Sequence, residues 1–217
     1  MNVQEIVSRV RGVIDELEAN ASGFINASGD EKNLTDVIKT NIPYALVYLL
    51  ENAPVEKLDE NGITGQGSYV SGTFSIDNTT MMGQAQLPDN VLRIVSARLS
   101  SWKYSPLPVT EHSQEYMMQG DEYARGTWDR PVTAIVHRAG SRWIELYSAK
   151  SLTDTLNMLV YKKPDLADLN NNDAEVRVPQ ALEGAFVYHL AGLVLTAFRD
   201  DHAGNLLAIA RSYAGIE

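Results

Sequence analysis

The sequence predicts an α+β protein in which an N-terminal and a C-terminal pair of helices pack around a central antiparallel sheet. Three observations predict it. Near both ends of the chain, apolar residues recur at three- and four-residue steps, the period of a helix with one buried face. Between residues 87 and 162 the pattern changes to short β-branched runs separated by turn-forming residues. The two patterns are segregated along the chain rather than alternating, which favours α+β over a parallel α/β sheet.

The first helix is marked by Val3, Ile6, Val7, Val10, Val13, Ile14 and Leu17, with Asn2 and Glu5 as its N-terminal capping signal. Residues 20–33, rich in Asn, Ser, Gly and Asp, predict a loop. A second helical pattern runs from Leu34 through Val37, Ile38, Ile42, Ala45, Leu46, Leu49 and Leu50 and stops before Pro54. Pro43 interrupts it, which predicts a kink or two abutting helices. Residues 59–86 carry Gly62, Gly65, Gly67, Gly72 and Gly83, and alternate through Tyr69, Ser71, Thr73 and Ser75 up to Asp77-Asn78. That pattern predicts a projecting β-hairpin. Its apolar residues, Val70, Phe74, Ile76, Met81 and Met82, need cover, and contact with another subunit would supply it.

Val91 opens a β-branched strand, VLRIVSARLSSW. Residues 111–126 predict a short polar helix or turn whose aromatic and Met side chains touch the sheet. Three strands follow, Val132–His137, Arg142–Tyr147 and Thr155–Lys162, the first two joined across Ala139-Gly140-Ser141 by hairpin chemistry. After a polar loop over 165–173 comes the most apolar helix, 178–198. Leu182, Ala185, Phe186, His189, Leu190, Leu193, Val194, Ala197 and Phe198 share its main face. Pro179 suits its first turn and Arg199 its C-terminal end. Its six large apolar residues represent about 10–18 kcal/mol of gross burial, so this helix is expected at the centre of the core. The opposite face carries Ala181, Gly184, Tyr188, Ala191 and Gly192. Two glycines inside a helix cost about 0.8–1.0 kcal/mol each, which predicts that something approaches closely there. A last helix from about Gly204 carries Leu206, Leu207, Ile209, Ala210 and Tyr213, and the short 200–203 step makes it a hairpin with its predecessor.

With 217 residues, 44% hydrophobic and 21% charged, the chain is expected to form one globular domain, 1–217, with the 59–86 excursion inside it. A net charge of −10 opposes binding that works by phosphate neutralisation. The absence of cysteine excludes disulfides, thiolate catalysis and zinc–cysteine sites. Carboxylates at Glu5 and Asp15 do not suit a signal peptide, so export is not expected and the sequons at Asn20, Asn26, Asn33 and Asn78 are chance. Glu183 and His189 inside the 181–198 run argue against a membrane span.

Histidines stand at 112, 137, 189 and 202, and only Asp200-Asp201-His202 places other metal-type ligands beside one of them. That run sits between two helices, where Asp serves as a cap. His189 falls on the apolar face and is expected to be a core residue. Glu183 lies six residues before it, on a different face. There is no P-loop, nucleophile elbow or HExxH pattern. Lys162, Lys163, Arg93, Arg98, Arg138 and Arg142 fit solvated or ion-paired strand ends. No catalytic residue, cofactor or metal is expected. An enzyme would need a deep pocket joining His137 or His189 to buried carboxylates.

The proline-broken second helix ending in ENAP, then LPDNVLRIVSARLSSW, EHSQEYMMQGDEYARG, further strands and an Ala-rich C-terminal helix together resemble the head–tail connector proteins of tailed phages. The resemblance is to the adaptor, or tail-tubular, type of short-tailed phages, especially the ring proteins of crAss-like and other Bacteroidales phages. It covers nearly the whole chain and rests on the order of elements and on phrases such as LPDNVLR and the strand end at Trp102. It implies a structural virion protein, made in the host cytoplasm, that forms a homo-oligomeric ring, usually of twelve subunits, beneath the portal protein. Such a ring extends the DNA channel and receives the tail or the next ring protein. Genome DNA passes through without sequence-specific binding, and no membrane, substrate or cofactor takes part. An acidic lumen repels phosphate, and small residues on the back of a helix suit a heterologous ring interface. The expected interface residues are Phe74, Ile76, Met81 and Met82 on the excursion, Gly184 and Gly192 on the central helix, and Tyr213 and Ile216 in a C-terminal segment that docks the portal. A second reading is a non-enzymatic bacterial oligomerising or binding module.

Overall fold

The computed structural model describes residues 1–18, 31–58, 63–64, 74–121, 123–164, 166, 169–198 and 200–216. Its helices are α1 (Val3–Glu18), α2 (Glu31–Asn52), the one-turn α3 (Gln114–Met117), α4 (Glu183–Ala197) and α5 (Ala203–Ala214). Its strands are β1 (Ile63–Thr64), β2 (Ser75–Ile76), β3 (Gly83–Gln86), β4 (Val91–Leu99), β5 (Val109–Thr110), β6 (Val132–Arg138), β7 (Ser141–Tyr147) and β8 (Leu156–Lys162). The α+β class and the helix pairs at both ends are as the sequence predicts. The chain divides into two compact units: residues 1–60 with 164–217, which are helical, and residues 61–163, which hold the strands.

In the helical unit, Asn2 Oδ1 accepts the Glu5 N–H at 2.7 Å, the expected cap of α1. The N-terminus is then tied to the second stretch of the unit: Val3 N–H donates to the Ala174 carbonyl at 3.0 Å and Val176 N–H to the Met1 carbonyl at 2.8 Å. Val3, Ile6, Val10 and Ile14 of α1 are buried. The α2 helix runs unbroken through Pro43, where two abutting helices were one expectation. Pro43 removes the N–H that would reach the Lys39 carbonyl, at a cost of about 3 kcal/mol. Burial of Ile38, Ile42, Ala45, Leu46, Leu49 and Leu50 on both sides of the proline offsets it.

The α4 helix begins after a 3₁₀ turn, Gln180–Leu182, with Pro179 just before it. It packs against α1, α2 and α5. Three neighbours bury it nearly all round, so Val187, Ala191 and Leu195 join the expected Ala185, Phe186, Leu190 and Val194, while Ala197 and Phe198 at its C-terminal end are exposed. Arg199 lies outside the described residues. The close approach that Gly192 announces comes from α5 of the same chain rather than from a neighbouring subunit. A Cβ at Gly192 would stand 2.8 Å from Leu207 Cγ and Cδ2 and 3.2 Å from the Leu207 backbone nitrogen. At Gly184 a Cβ would meet only Tyr213 Cδ2, at an ordinary 3.7 Å.

The strands form two sheets rather than one antiparallel sheet. One has the order β1-β8-β4 and is antiparallel; the other has the order β2-β3-β7-β6-β5 and is mixed, because β5 runs parallel to β6. The expected β6–β7 hairpin turns at Ala139 and Gly140, whose φ values of 48° and 79° give the left-handed pair that a two-residue turn requires. Residues of both sheets, among them Ala85, Ile94, Leu99, Trp102, Ile144, Leu146, Met158 and Val160, join in one core cluster.

Part of the expected 59–86 excursion is a hairpin, β2–β3. Its turn is held by Asp77 Oδ1, which accepts the Thr79 N–H at 2.6 Å and the Thr80 N–H at 3.3 Å. This part does not project, because β3 also pairs with β7 inside the sheet. Residues 59–62 and 65–73, with Tyr69, Val70, Ser71 and Thr73, lie outside the described residues.

Candidate functional site

The eight interface residues expected from the sequence fall four to each unit. Phe74, Ile76 and Met81 are half-buried against the core cluster of the strand unit, which supplies part of the cover they need, and Met82 is half-buried beside them. The Phe74 ring lies over Gly83, where a Cβ would come within 2.8 Å of it. In the helical unit the structure brings Gly184 and Tyr213 together and sets the Tyr213 ring edge-on to Tyr188 at 5.5 Å. The Tyr213 ring is exposed, and its carbonyl accepts Lys57 Nζ at 2.7 Å. Gly215, at a φ of 72°, ends α5, and the half-buried Ile216 donates its N–H to the Arg211 carbonyl at 2.9 Å.

The candidate proton-transfer groups are placed for structure. His189 is buried and stacks on Tyr48, with ring centroids 4.5 Å apart and planes 2° from parallel. Its Nδ1 makes no hydrogen bond among the described residues. Burial first, then the positive charge of Arg211, holds its pKa below the ordinary imidazole value. Glu183 turns instead to Arg9, at 3.4 Å. Asp200 Oδ1 accepts the His202 N–H at 2.7 Å and lies 2.9 Å from its Nδ1, a local turn ahead of α5. His137 is exposed, and its backbone N–H donates to Glu111 Oε2 at 3.1 Å.

Two buried carboxylates have both oxygens engaged by other groups of the strand unit. Glu145 is fully buried on β7, ion-paired to Arg138 and accepting the Tyr147 hydroxyl at 2.5 Å. Burial and the neighbouring Tyr116 push the Tyr147 phenol well above its ordinary pKa. Asp154 accepts Ser101 Oγ at 2.7 Å, Ser100 Oγ at 3.1 Å and the N–H groups of Lys150 and Ser151 at 3.0 and 3.1 Å. Burial works to raise its pKa, but these donors outweigh it and hold the carboxyl below the usual range.

The surface that stands out was not legible in the sequence. Between β4 and β6 the chain runs outside the sheets on either side of the short β5 and is pinned back at several points. Trp102 is buried and donates Nε1–H to the Ser148 carbonyl at 3.2 Å. Ser105 Oγ accepts the Ala97 N–H at 2.9 Å and donates to the Ala97 carbonyl at 2.7 Å. Ser113 caps α3, accepting the Tyr116 N–H at 3.1 Å, and Gln119 Oε1 accepts the Gly126 N–H at 3.0 Å. Ser148 Oγ donates to the Gly126 carbonyl. Of the residues expected to touch the sheet, Tyr116 does so, edge-on to Tyr147 at 6.2 Å. Met117, Met118 and Tyr123 instead point outward, Tyr123 with 97% of its surface exposed, and Leu107 is 80% exposed. The one-turn α3 is too short to bury a full apolar face, so its Tyr116 packs inward while its Met117 stays exposed.

Trp128 stands in this excursion, 39% exposed, with Lys103 Nζ 5.5 Å and Lys150 Nζ 4.6 Å from its ring centroid. Tyr104 donates its hydroxyl to the Asp129 carbonyl. An open cavity of about 550 Å³ adjoins, lined by Glu115, Tyr123, Arg125, Asp129 and Arg130 among others. Ordered loops that carry exposed aromatic and Met side chains are suited to contact another macromolecule.

Comparison with known proteins finds no protein family whose model matches the chain and no curated protein similar to it in sequence. Among the described residues no group of three or more His, Asp or Glu could hold a metal ion, and no helix is long and apolar enough to cross a membrane.

Proposed function

We propose that this chain is a structural subunit of a phage head–tail connector. Copies assemble into a ring beneath the portal, the ring extends the DNA channel without reading its sequence, and its far side receives the tail or the next ring protein. What carries the reading is the pinned excursion between β4 and β6, whose Leu107, Met117, Tyr123 and Trp128 are exposed on a well-hydrogen-bonded frame. Such a surface suits assembly better than solvent. The order of elements, two helices, strands and two helices, agrees with the sequence resemblance. The expected site is therefore virion-associated, at the junction of head and tail.

Co-purification tests it. The portal protein of the same genome is expected to retain this chain through gel filtration, and deletion of residues 204–217 is expected to weaken the complex. A full chain that elutes apart from the portal at every concentration would favour the bacterial binding module instead.

A further inference from the structure

Residues 121–130 form a flap within the excursion. At one end stands Gly120, where a Cβ would meet nothing within 4 Å, and at the other the buried Pro131. Between them no described residue is buried. The flap is nevertheless well bonded internally: Arg125 N–H donates to the Asp121 carbonyl at 2.9 Å, and Thr127 and Arg130 exchange backbone hydrogen bonds at 3.1 and 2.9 Å. Its polar ties to the rest of the unit, among the described residues, are few. Gln119 Oε1 accepts the Gly126 N–H, the Tyr104 hydroxyl donates to the Asp129 carbonyl, and Lys103 lies over the Trp128 ring. These three partners belong to the excursion itself. Only Ser148 and Lys150, just after β7, tie the flap to the sheets: Ser148 Oγ donates to the Gly126 carbonyl, and Lys150 Nζ stands over Trp128.

We propose that residues 121–130 swing as one body between the closed position described above and an open one, with Ser148 as the latch. A segment that buries no side chain gains little from apolar contact, so it opens at a lower free energy than the sheets unfold. The internal hydrogen bonds keep its shape while it moves. Ser148 is prepared for the catching role. It is left-handed at a φ of 69°, a conformation that costs a non-glycine residue free energy and persists only where neighbours enforce it. Here they do: the Ser148 carbonyl accepts Trp102 Nε1–H at 3.2 Å, and the next N–H, of Ala149, donates to the carbonyl of Met81 at 2.8 Å. Its hydroxyl therefore stays aimed at the flap when the flap is away. The swing has two consequences. Glu115, Met118 and Val132 line the cavity of about 550 Å³ together with flap residues Tyr123, Arg125 and Asp129, so the flap sets its width. Tyr123 and Trp128, two of the exposed rings of the excursion, ride on the flap, and a partner that meets them in one position shifts the equilibrium toward it. None of this depends on the connector reading.

Native-state hydrogen exchange of the full chain, without any partner, tests it. The amides of Arg125, Gly126, Thr127 and Arg130 are expected to exchange through an opening with little urea dependence, because the swing exposes little surface, while β6 and β7 exchange only by unfolding. Ser148→Ala removes the hydroxyl and leaves the backbone turn as it is, so it should speed exchange of the flap amides about fivefold and leave those of β6 and β7 unchanged. Lys150→Ala removes the other tie to the sheets and should act in the same direction. If the wild-type flap amides share the protection and the urea dependence of β6 and β7, there is no separate opening and the proposal fails. If the flap opens separately but neither variant changes its rate, Ser148 is not the latch and the assignment is wrong. If Ser148→Ala speeds exchange throughout the strand unit alike, the hydroxyl only stabilises the fold, and the latch is again refuted.

Discussion

Gly184 and Gly192 occupy the same helix and look alike in sequence, yet the structure sets them opposite tasks. Gly192→Ala drives a methyl into Leu207 Cγ and the Leu207 backbone, so α4 and α5 must separate. Overpacking of this kind costs about 1–3 kcal/mol, more than the roughly 1 kcal/mol that alanine gains over glycine in a helix. Gly184→Ala meets only Tyr213 at an ordinary distance and should be neutral or stabilise by up to about 1 kcal/mol. Urea unfolding of the two variants should give opposite signs. His189 makes a second prediction. Its folded pKa lies below the ordinary 6.5, so below that pH the unfolded chain binds a proton that the folded chain resists. Stability should be fully present above about pH 6.5 and fall as the pH drops through and below it. His189→Phe keeps a ring against Tyr48 and should flatten this dependence between about pH 7.5 and about pH 5.5. A wild-type midpoint that does not move over that interval would contradict the assignment.

Individual elements were legible wherever a local rule sufficed. Asn2 and Glu5 announced the start of α1, Ala139-Gly140 the β6–β7 turn, and the β-branched runs the strands β4, β6, β7 and β8. Pairing was not legible, because nothing local tells β4 to choose β8 or β5 to lie parallel to β6. The face of α4 was read too narrowly for a related reason: a stripe of apolar residues shows one buried side, and contact with three other helices is a property of the packed unit. The loop before β8 depends on Asp154, a role its sequence context did not suggest. Asp154→Ala leaves two serine hydroxyls and two backbone N–H groups without their acceptor and should cost about 1–3 kcal/mol, measured by thermal unfolding. Because its folded pKa is depressed, the stability it contributes is present above the ordinary carboxylate range and lost as pH falls through the folded value.

Across the whole molecule, an acidic helical unit accompanies a nearly neutral strand unit whose stretch between β4 and β6 bears exposed aromatic and Met side chains. The net charge of −10 concealed this division, since it averages two units that the sequence interleaves. The candidate surface was hidden for another reason. Whether Met117 or Tyr123 points inward depends on where the excursion is pinned, at Ser105, Gln119 and Ser148, and not on periodicity. The residues expected to form the interface are divided between the units, with Phe74, Ile76 and Met81 partly covered by the core and Gly192 by α5. A chain that works as proposed builds a closed assembly of its own copies, and light scattering across a concentration series, alone and with portal, decides whether it does. A mass that settles at a fixed multiple of 23.9 kDa and ceases to grow is the predicted result. A mass of 23.9 kDa at every concentration, unmoved by portal, would contradict it.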